Sequence, residues 1–342
     1  MCGAQRPKQV KIMKVFNSPS NLPPFNSGTC VTWGNFDGVH LGHQKLLGHL
    51  AAKARQFGLT SVVVTFSPHP LHVIGTPPPI ITSMHARLKL IAAQGIDVTL
   101  VLPFTKEISE LEPEDFVHKV LTGNMQTRQI VMGYSSFFGK GRRGSALLLS
   151  RMGEELGFGV EQLSPVLLGG SVVSSTRVRR LIGAGQVAEV APLLGRNHFV
   201  EGHIVKGRQL GHTLGFPTIN VEAGLKNTND SGYQAIPGVC SNEFDALGGL
   251  LPPDGVYAAW AEISGRFNRG VASIGTNPTF ENSHGKIARK LEVHILDFNQ
   301  DVYGQDVRVH FVKHIRVSQR FDSPEQLKKE INSDIEKTKK IL

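Results

Sequence analysis

The 342 residues carry 37 Lys and Arg against 28 Asp and Glu, a formal net charge of +9, with 40% hydrophobic and 19% charged residues, a composition ordinary for a globular protein and long enough for two domains with separate cores. No uncharged apolar run reaches the roughly 18 residues of a membrane span, and the polar, proline-containing N-terminus lacks the apolar segment of a secretory leader. Three widely spaced cysteines, Cys2, Cys30 and Cys240, argue against a disulfide framework or a zinc site, so a cytoplasmic protein without a membrane partner is expected. The positive charge favours anionic partners, and scattered basic residues with few aromatics favour a nucleotide and a phosphorylated cofactor over nucleic acid.

Residues 1–28 show little periodicity. Gly28–Trp33 then predicts a strand, and Leu41–Phe57 predicts a helix with Leu47, Leu50, Ala51 and Ala54 on one face. Ser61–Phe66 is a continuous apolar run of the kind buried on both faces of a parallel sheet. A helix over Ser83–Gln94, strands over Asp97–Leu102 and Gln129–Gly133, and a helix over Ser145–Leu156 continue the alternation, which predicts a doubly wound α/β domain binding ligands beyond the carboxyl ends of its strands. A short helical segment over Thr176–Val190 is expected to end at Pro192.

From Phe199 the period changes. Val200–Lys206, Pro217–Val221, Gly255–Ile263, Val271–Gly275, Leu291–Leu296 and Asp306–Ile315 read as six strands without interleaved helices, predicting a small antiparallel barrel. Ser323-Pro324-Glu325-Gln326 supplies an N-cap, a proline at the first helical position and a capping-box partner for a terminal helix with Leu327, Ile331 and Ile335 on one face. The domain boundary is placed near residue 190, giving domains over 14–190 and 191–342. Between Asn220 and Pro252 a stretch including NTNDSGYQ and Cys240 lacks a period and is expected to be an exposed loop.

The chemistry concentrates in Val31–Lys45, VTWGNFDGVHLGHQK. Glycines 34, 38 and 42 let backbone approach an anion, the following helix start offers unpaired N–H donors, and His40 and His43 can share one oxygen cluster. Strand, glycine-rich turn and HxGH at a helix entry form the signature of the nucleotidyltransferase superfamily, and GNFDGVHLGHQ resembles the bacterial bifunctional riboflavin kinase/FAD synthetase family. The resemblance covers about residues 14–340, and because family members usually start near a segment like MKVF at Met13, the first twelve residues are expected to be an upstream extension or a misplaced start.

What the resemblance implies is specific. Gly34, Asn35, Phe36, Asp37 and Gly38 fall at ATP-binding positions. Val173–Arg179, VSSTRVR, is similar to the family's triphosphate-holding ISSTxxR, so His40, His43, Ser175, Thr176 and Arg179 are the implied catalytic residues of adenylyl transfer. Phe66, Pro68 and Ser135 fall at flavin-binding positions. Two departures stand out: Ser67 replaces a usual acid ahead of Pro68-His69-Pro70, and VMGYSSFFGKGRRG carries Tyr134, Ser135 and Ser136 where an acid, an Asp or Asn, and an aromatic are usual. Serine keeps a hydrogen-bonding oxygen but not the charge or the amide's dual character.

In the second half, Gly215-Phe216-Pro217-Thr218-Ile219-Asn220 resembles the riboflavin kinase GFPTAN segment, supported by PDGVYA from Pro253, SIGTNPTF from Ser273 and LEVHILDF from Leu291; His212 departs from the usual Arg. The resemblance implies ATP at Gly215, Phe216 and Pro217, Mg²⁺ at Thr218 and Asn220, flavin at Asn277, and Glu292 as the catalytic base. Glu292 also lies on the polar side of the alternating LEVHIL. A hydroxyl nucleophile needs somewhere for its proton to go, whereas a flavin phosphate is already an oxyanion. The expected function is ATP-dependent phosphorylation of riboflavin to FMN followed by adenylylation of FMN to FAD, with ATP, riboflavin and FMN as small-molecule partners. The alternatives are a riboflavin kinase with a weak or inactive adenylyltransferase domain and, further off, an RNA-binding or flavin-responsive regulator, which predicts a continuous basic stripe.

Overall fold

The computed structural model describes residues 12–207, 215–223, 233–234, 248–281 and 287–342. Cys2, His212, Cys240 and most of the 221–251 stretch lie outside the described residues, and of Asn277 only the backbone is described. In chain order the strands are β1 (Met13–Phe16), β2 (Thr29–Trp33), β3 (Thr60–Ser67), β4 (Val98–Pro103), β5 (Thr127–Gly133), β6 (Gly159–Leu163), β7 (Leu167–Leu168), β8 (Ser171–Val172), β9 (His198–Val205), β10 (Ile219–Ala223), β11 (Tyr233–Gln234), β12 (Gly255–Ile263), β13 (Arg266–Glu281), β14 (Ile287–Ile295) and β15 (Asp306–Val317). The helices are α1 (Leu41–Phe57), α2 (Leu71–Ile74), α3 (Met84–Ala92), α4 (Lys106–Ser109), α5 (Pro113–Phe116), α6 (Ala146–Leu156), α7 (Ser175–Gly183), α8 (Val187–Leu194) and α9 (Pro324–Ile341).

Of the described residues, those up to Pro78, Arg87–Val166 and Tyr233–Gln234 form one compact unit, while Pro79–Ala86 and the remainder from Leu167 form the other. The first unit is built on a seven-stranded parallel sheet in the order β11-β1-β4-β3-β2-β5-β6. Central strand β3 buries Ser61–Phe66 without a break, as a strand covered on both faces must. Its core packs Trp33 edge-on to Phe138 at 5.4 Å and to Phe116 at 6.3 Å. The helix predicted over Leu41–Phe57 has those bounds and is stopped by Gly58 in the left-handed region at φ 66°. The NTNDSGYQ stretch is corrected in part: Tyr233 and Gln234 pair in parallel with Met13 and Lys14 at the sheet edge.

In the second unit, six antiparallel strands close a barrel in the order β10-β14-β13-β12-β15-β9, matching the predicted six. Ser264 and Gly265, at φ 50° and 76°, make the two-residue hairpin that pairs Ile263 with Arg266. The helical segment predicted over Thr176–Val190 is corrected to two helices, and Pro192 lies inside α8 rather than ending it. Gly185 at φ 73° separates the helices. An interior proline costs about 3 kcal/mol, but α8 buries Val187, Val190, Leu193 and Leu194, each contributing about 1.5–3 kcal/mol.

The terminal helix α9 has the predicted Ser323 cap, whose hydroxyl accepts from Gln326 N at 3.2 Å. The reciprocal bond differs by one residue, since Gln326 Oε1 accepts from Asp322 N. One face of α9 is pinned by buried Asp334, which takes both Arg316 Nε and Nη2, the latter at 2.9 Å, while Ile335 packs with Val256, Val271 and Leu296.

Candidate active sites

In the first unit the implied residues follow the carboxyl ends of three adjacent strands: Gly34–His43 after β2, Ser67–Pro70 at the end of β3 and Tyr134–Ser136 after β5. Gly34 N donates to Val64 O at 3.0 Å, and the chain then turns so that Phe36, Asp37 and Val39 are buried. Asn35 Nδ2 lies 3.1 Å from His69 Nε2, and Thr65 Oγ1 donates to Asn35 O, which ties the β2 and β3 loops together.

His40 is the N-cap of α1. Its Nδ1 accepts from His43 N at 3.3 Å, so the neutral ring, by this hydrogen-bond pattern, carries its proton on Nε2 and offers it as a donor. The two imidazoles stack 3.7 Å apart at 16°, and Phe36 meets His43 edge-on at 5.2 Å. Phe66 is buried against Phe104 in the core, Pro68 is half-buried and Ser135 is exposed. Ser136 closes the loop by accepting from Gly133 N at 3.1 Å.

VSSTRVR opens α7 in the second unit. Ser174 is the cap, accepting from Arg177 N, which leaves Ser175 and Thr176 in the first turn. Arg177 holds the β7–β8 hairpin through Leu168 O and Ser171 O, and Arg179 Nε donates to Pro79 O at 2.8 Å.

On the barrel, antiparallel register sets Asn220 directly opposite Glu292, and Glu292 opposite Ser273 on its other side. Side chains so paired stand about 4.5–5.5 Å apart at Cβ. Leu291, Val293 and Ile295 are buried while Glu292 and His294 are only half-buried, so the alternation read from LEVHIL is the one observed. The Gly215–Thr218 turn leads straight into β10; His294 Nδ1 donates to Pro217 O at 2.8 Å and stacks edge-on with Phe216. Asn220 and Glu292 thus face each other across the ladder, with an amide oxygen and a carboxylate to offer, and Thr218 stands two residues before Asn220 at the entry to β10.

Comparison with known proteins matches both halves. The FAD synthetase family model covers residues 22–177 and the riboflavin kinase family model covers residues 194–342. Proteins described as bifunctional riboflavin kinase/FMN adenylyltransferase are 33% identical over 330 residues in Escherichia coli K12 (95% of this chain, 96% of the relative) and 34% over 325 residues in Pseudomonas fluorescens (94% and 96%). The chain belongs to the bifunctional riboflavin kinase/FMN adenylyltransferase family. A relative from Bacillus subtilis 168 is 32% identical and covers 88% of each chain. A crystal structure described as a macrolide-efflux protein from Streptococcus pneumoniae is also similar, with TM-score 0.80 and 29% identity over 96% of this chain and 99% of its own. That description is of that protein. Among the described residues no helix is long and apolar enough to cross a membrane.

Three residues given no role in the sequence reading stand beside the implied ones in the geometry. Arg87 meets the buried Asp37 of the glycine-rich turn, with Nη2 3.8 Å from Oδ1. Gly207 presents bare backbone to Asn220, where an added Cβ would overlap the amide. Ser273 is the exposed cross-strand neighbour of Glu292. Gly207 left a signal as one of several glycines before GFPTIN and Ser273 as the first residue of SIGTNPTF, whereas Arg87 left none. The PDGVYA segment is braced separately: Arg289 Nε pairs with Asp254 at 2.8 Å, and Tyr257 donates its hydroxyl to Pro253 O, its pKa pushed up to about 12 by burial.

Proposed function

We propose that the chain transfers the γ-phosphoryl group of ATP to riboflavin at the barrel and an adenylyl group from a second ATP to FMN at the HxGH site, through the residues implied by the family motifs. The barrel assignment is supported above all by the backbone register that sets Asn220 against Glu292. Glu292 takes the proton of the riboflavin primary hydroxyl as its oxygen attacks the γ-phosphorus, and ADP leaves. Gly215, Phe216 and Pro217 border the ATP phosphates, and Asn277 contacts the flavin.

At the HxGH site a phosphate oxygen of FMN attacks the α-phosphorus of ATP and pyrophosphate leaves. No base is required, so catalysis is positioning and charge neutralisation. The Gly34–Gly38 turn borders the triphosphate and the Nε2–H of neutral His40 donates to a phosphate oxygen; the family motifs assign His43, Ser175, Thr176 and Arg179 to the triphosphate and Phe66, Pro68 and Ser135 to the flavin.

The donor chemistry at the barrel suits Mg²⁺: Thr218 and Asn220 offer hard oxygens, and the Gly207 backbone cradles the Asn220 amide. Bound there, Mg²⁺ would neutralise charge on the ATP phosphates. The two family-model matches end and begin on either side of residue 190, which supports domains at 14–190 and 191–342, whereas by packing Leu167–Val190 and Pro79–Ala86 go with the barrel unit. A cytoplasmic setting is supported by three widely spaced cysteines, an odd number, and neither nucleic acid nor membrane is proposed as a partner.

The test is to incubate the purified chain with riboflavin, ATP and Mg²⁺ and to separate riboflavin, FMN and FAD over time, with a second reaction started from FMN. FMN followed by FAD is the expected course. FMN without FAD from either start would overturn the adenylyltransferase half, and no product at all would overturn both.

A further inference from the structure

The glycine-rich turn has an unusual backbone. Phe36 and Val39 have φ of 50° and 37°, a region that side-chain-bearing residues avoid and that a β-branched residue such as Val39 avoids most, with Gly38 between them at φ 82°. Val39 N donates back to Phe36 O at 3.1 Å, and the turn ends at His40, the cap of α1. Such a conformation persists only where its surroundings over-determine it. The turn is held by what it buries: Phe36 and Asp37 are each 1% exposed and Val39 is fully buried. Asp37 therefore brings a carboxylate into a water-excluded place, and a group of opposite charge facing it is the guanidinium of Arg87 on α3, itself 2% exposed, with Nη2 3.8 Å from Oδ1. A buried carboxylate without a countercharge is costly enough to drive the segment outward.

We propose that Arg87 is a positioning residue for adenylyl transfer, holding Asp37 under the turn so that the Gly34–Gly38 backbone and the His40 cap keep the shape that receives the triphosphate. Arg87 is too deeply buried to touch substrate itself, and it acts through Asp37. The inference rests on the adenylyltransferase reading of the HxGH site. It requires of Arg87 a side chain that is cationic, and no particular contact with ATP.

The test uses the full-length chain with Arg87→Met, Arg87→Lys and Asp37→Asn, measuring FMN-to-FAD turnover and riboflavin-to-FMN turnover on the same samples, well below each variant's melting midpoint. Arg87→Met and Asp37→Asn are expected to lower kcat/KM for ATP in adenylylation by fivefold or more, because sub-ångström to ångström misplacement of phosphate-binding groups is felt strongly in rate. Arg87→Lys, which keeps the charge, is expected to recover most of that loss, and riboflavin phosphorylation is expected to stay within twofold throughout. A purely structural role predicts a lower melting midpoint with adenylylation per folded molecule unchanged, and a loss smaller than fivefold in folded Arg87→Met overturns the proposal. If Arg87→Met yields no folded protein, Asp37→Asn decides by the same fivefold criterion. Wild-type protein that makes no FAD from FMN overturns the underlying reading and the proposal together, whereas undiminished variants beside an active wild type overturn the proposal alone.

Discussion

Glu292→Gln isolates proton removal from everything else at the barrel site. Gln keeps the shape and the strand propensity, and the backbone pairing of residue 292 with Asn220 and Ser273 is indifferent to the side chain. Glu292 is half-buried on the outer face while its neighbours Leu291 and Val293 fill the core, so the substitution is expected to change folding free energy by no more than about 0.5 kcal/mol. The rate is another matter. A positioned general base contributes about 10²–10⁴-fold, which corresponds to about 3–5 kcal/mol of barrier at 1.36 kcal/mol per tenfold. Kinase kcat is therefore expected to fall at least about a hundredfold. The KM for ATP should move little, because Thr218, Asn220 and the Gly215–Pro217 turn are untouched. The assay is FMN formation from riboflavin under saturating ATP and Mg²⁺, with FAD formation from supplied FMN as the internal control. Kinase turnover within threefold of wild type, in protein with an unchanged melting midpoint, would refute the assignment of Glu292 as base.

Other outcomes follow from particular contacts. Gly207→Ala is expected to displace the Asn220 amide and lower kinase kcat/KM for ATP by about tenfold without a large shift in melting midpoint, read by steady-state kinetics and thermal denaturation. Asp334→Asn breaks the buried bidentate pair with Arg316 that pins α9; because Glu330 remains 3.5 Å from Arg316, the loss is expected at about 3 kcal/mol, the low end for such pairs, read by chemical denaturation. Glu262 is held below its ordinary carboxylate value of 4.5 by the hydrogen bond from His310 and the nearby Arg308. A depressed carboxylate contributes its full stability above the unfolded value and loses it as pH falls through the folded one, so barrel stability is expected to decline below about pH 4.5, and His310→Gln to make that decline shallower in denaturation curves taken across pH.

Where local pattern and tertiary packing ask for the same thing, the sequence was a sufficient guide. The α1 span was read from Leu47, Leu50, Ala51 and Ala54 on one face, and the barrel strands from alternation such as LEVHIL, whose polar side is where Glu292 stands. It failed where a distant partner decides. Pro192 sits inside a helix because four buried side chains outweigh its missing donor, and Tyr233–Gln234 is a strand because β1 offers an open edge. Arg87 was invisible for the same reason: nothing near MHARLKL names a carboxylate fifty residues upstream as its partner. The Ser264–Gly265 turn went unread as well: the strand expected over Val271–Gly275 begins at Arg266, directly after that turn, because Ile263 pairs with Arg266 across it.

The serines at 67 and 135 are best judged by what the reaction at that end of the sheet needs. The loops after β2, β3 and β5 carry one carboxylate between Gly34 and His43, at Ser67–Pro70 and at Tyr134–Ser136, and that one, Asp37, is buried against Arg87 and so serves as a strut. A site with no free acid would be disabling for a kinase, whose nucleophile must shed a proton. For adenylyl transfer it is tolerable, because the flavin phosphate arrives deprotonated and the transition state asks for donors: backbone N–H groups and an imidazole whose tautomer is set by the His43 N–H to His40 Nδ1 bond. Ser136, moreover, keeps its loop closed through Gly133 N. On the proposed assignment the departures at Ser67 and Ser135 fall on binding positions, while GNFDGVHLGH at one site and the Asn220–Glu292 pair at the other are kept, and this favours two working sites over one.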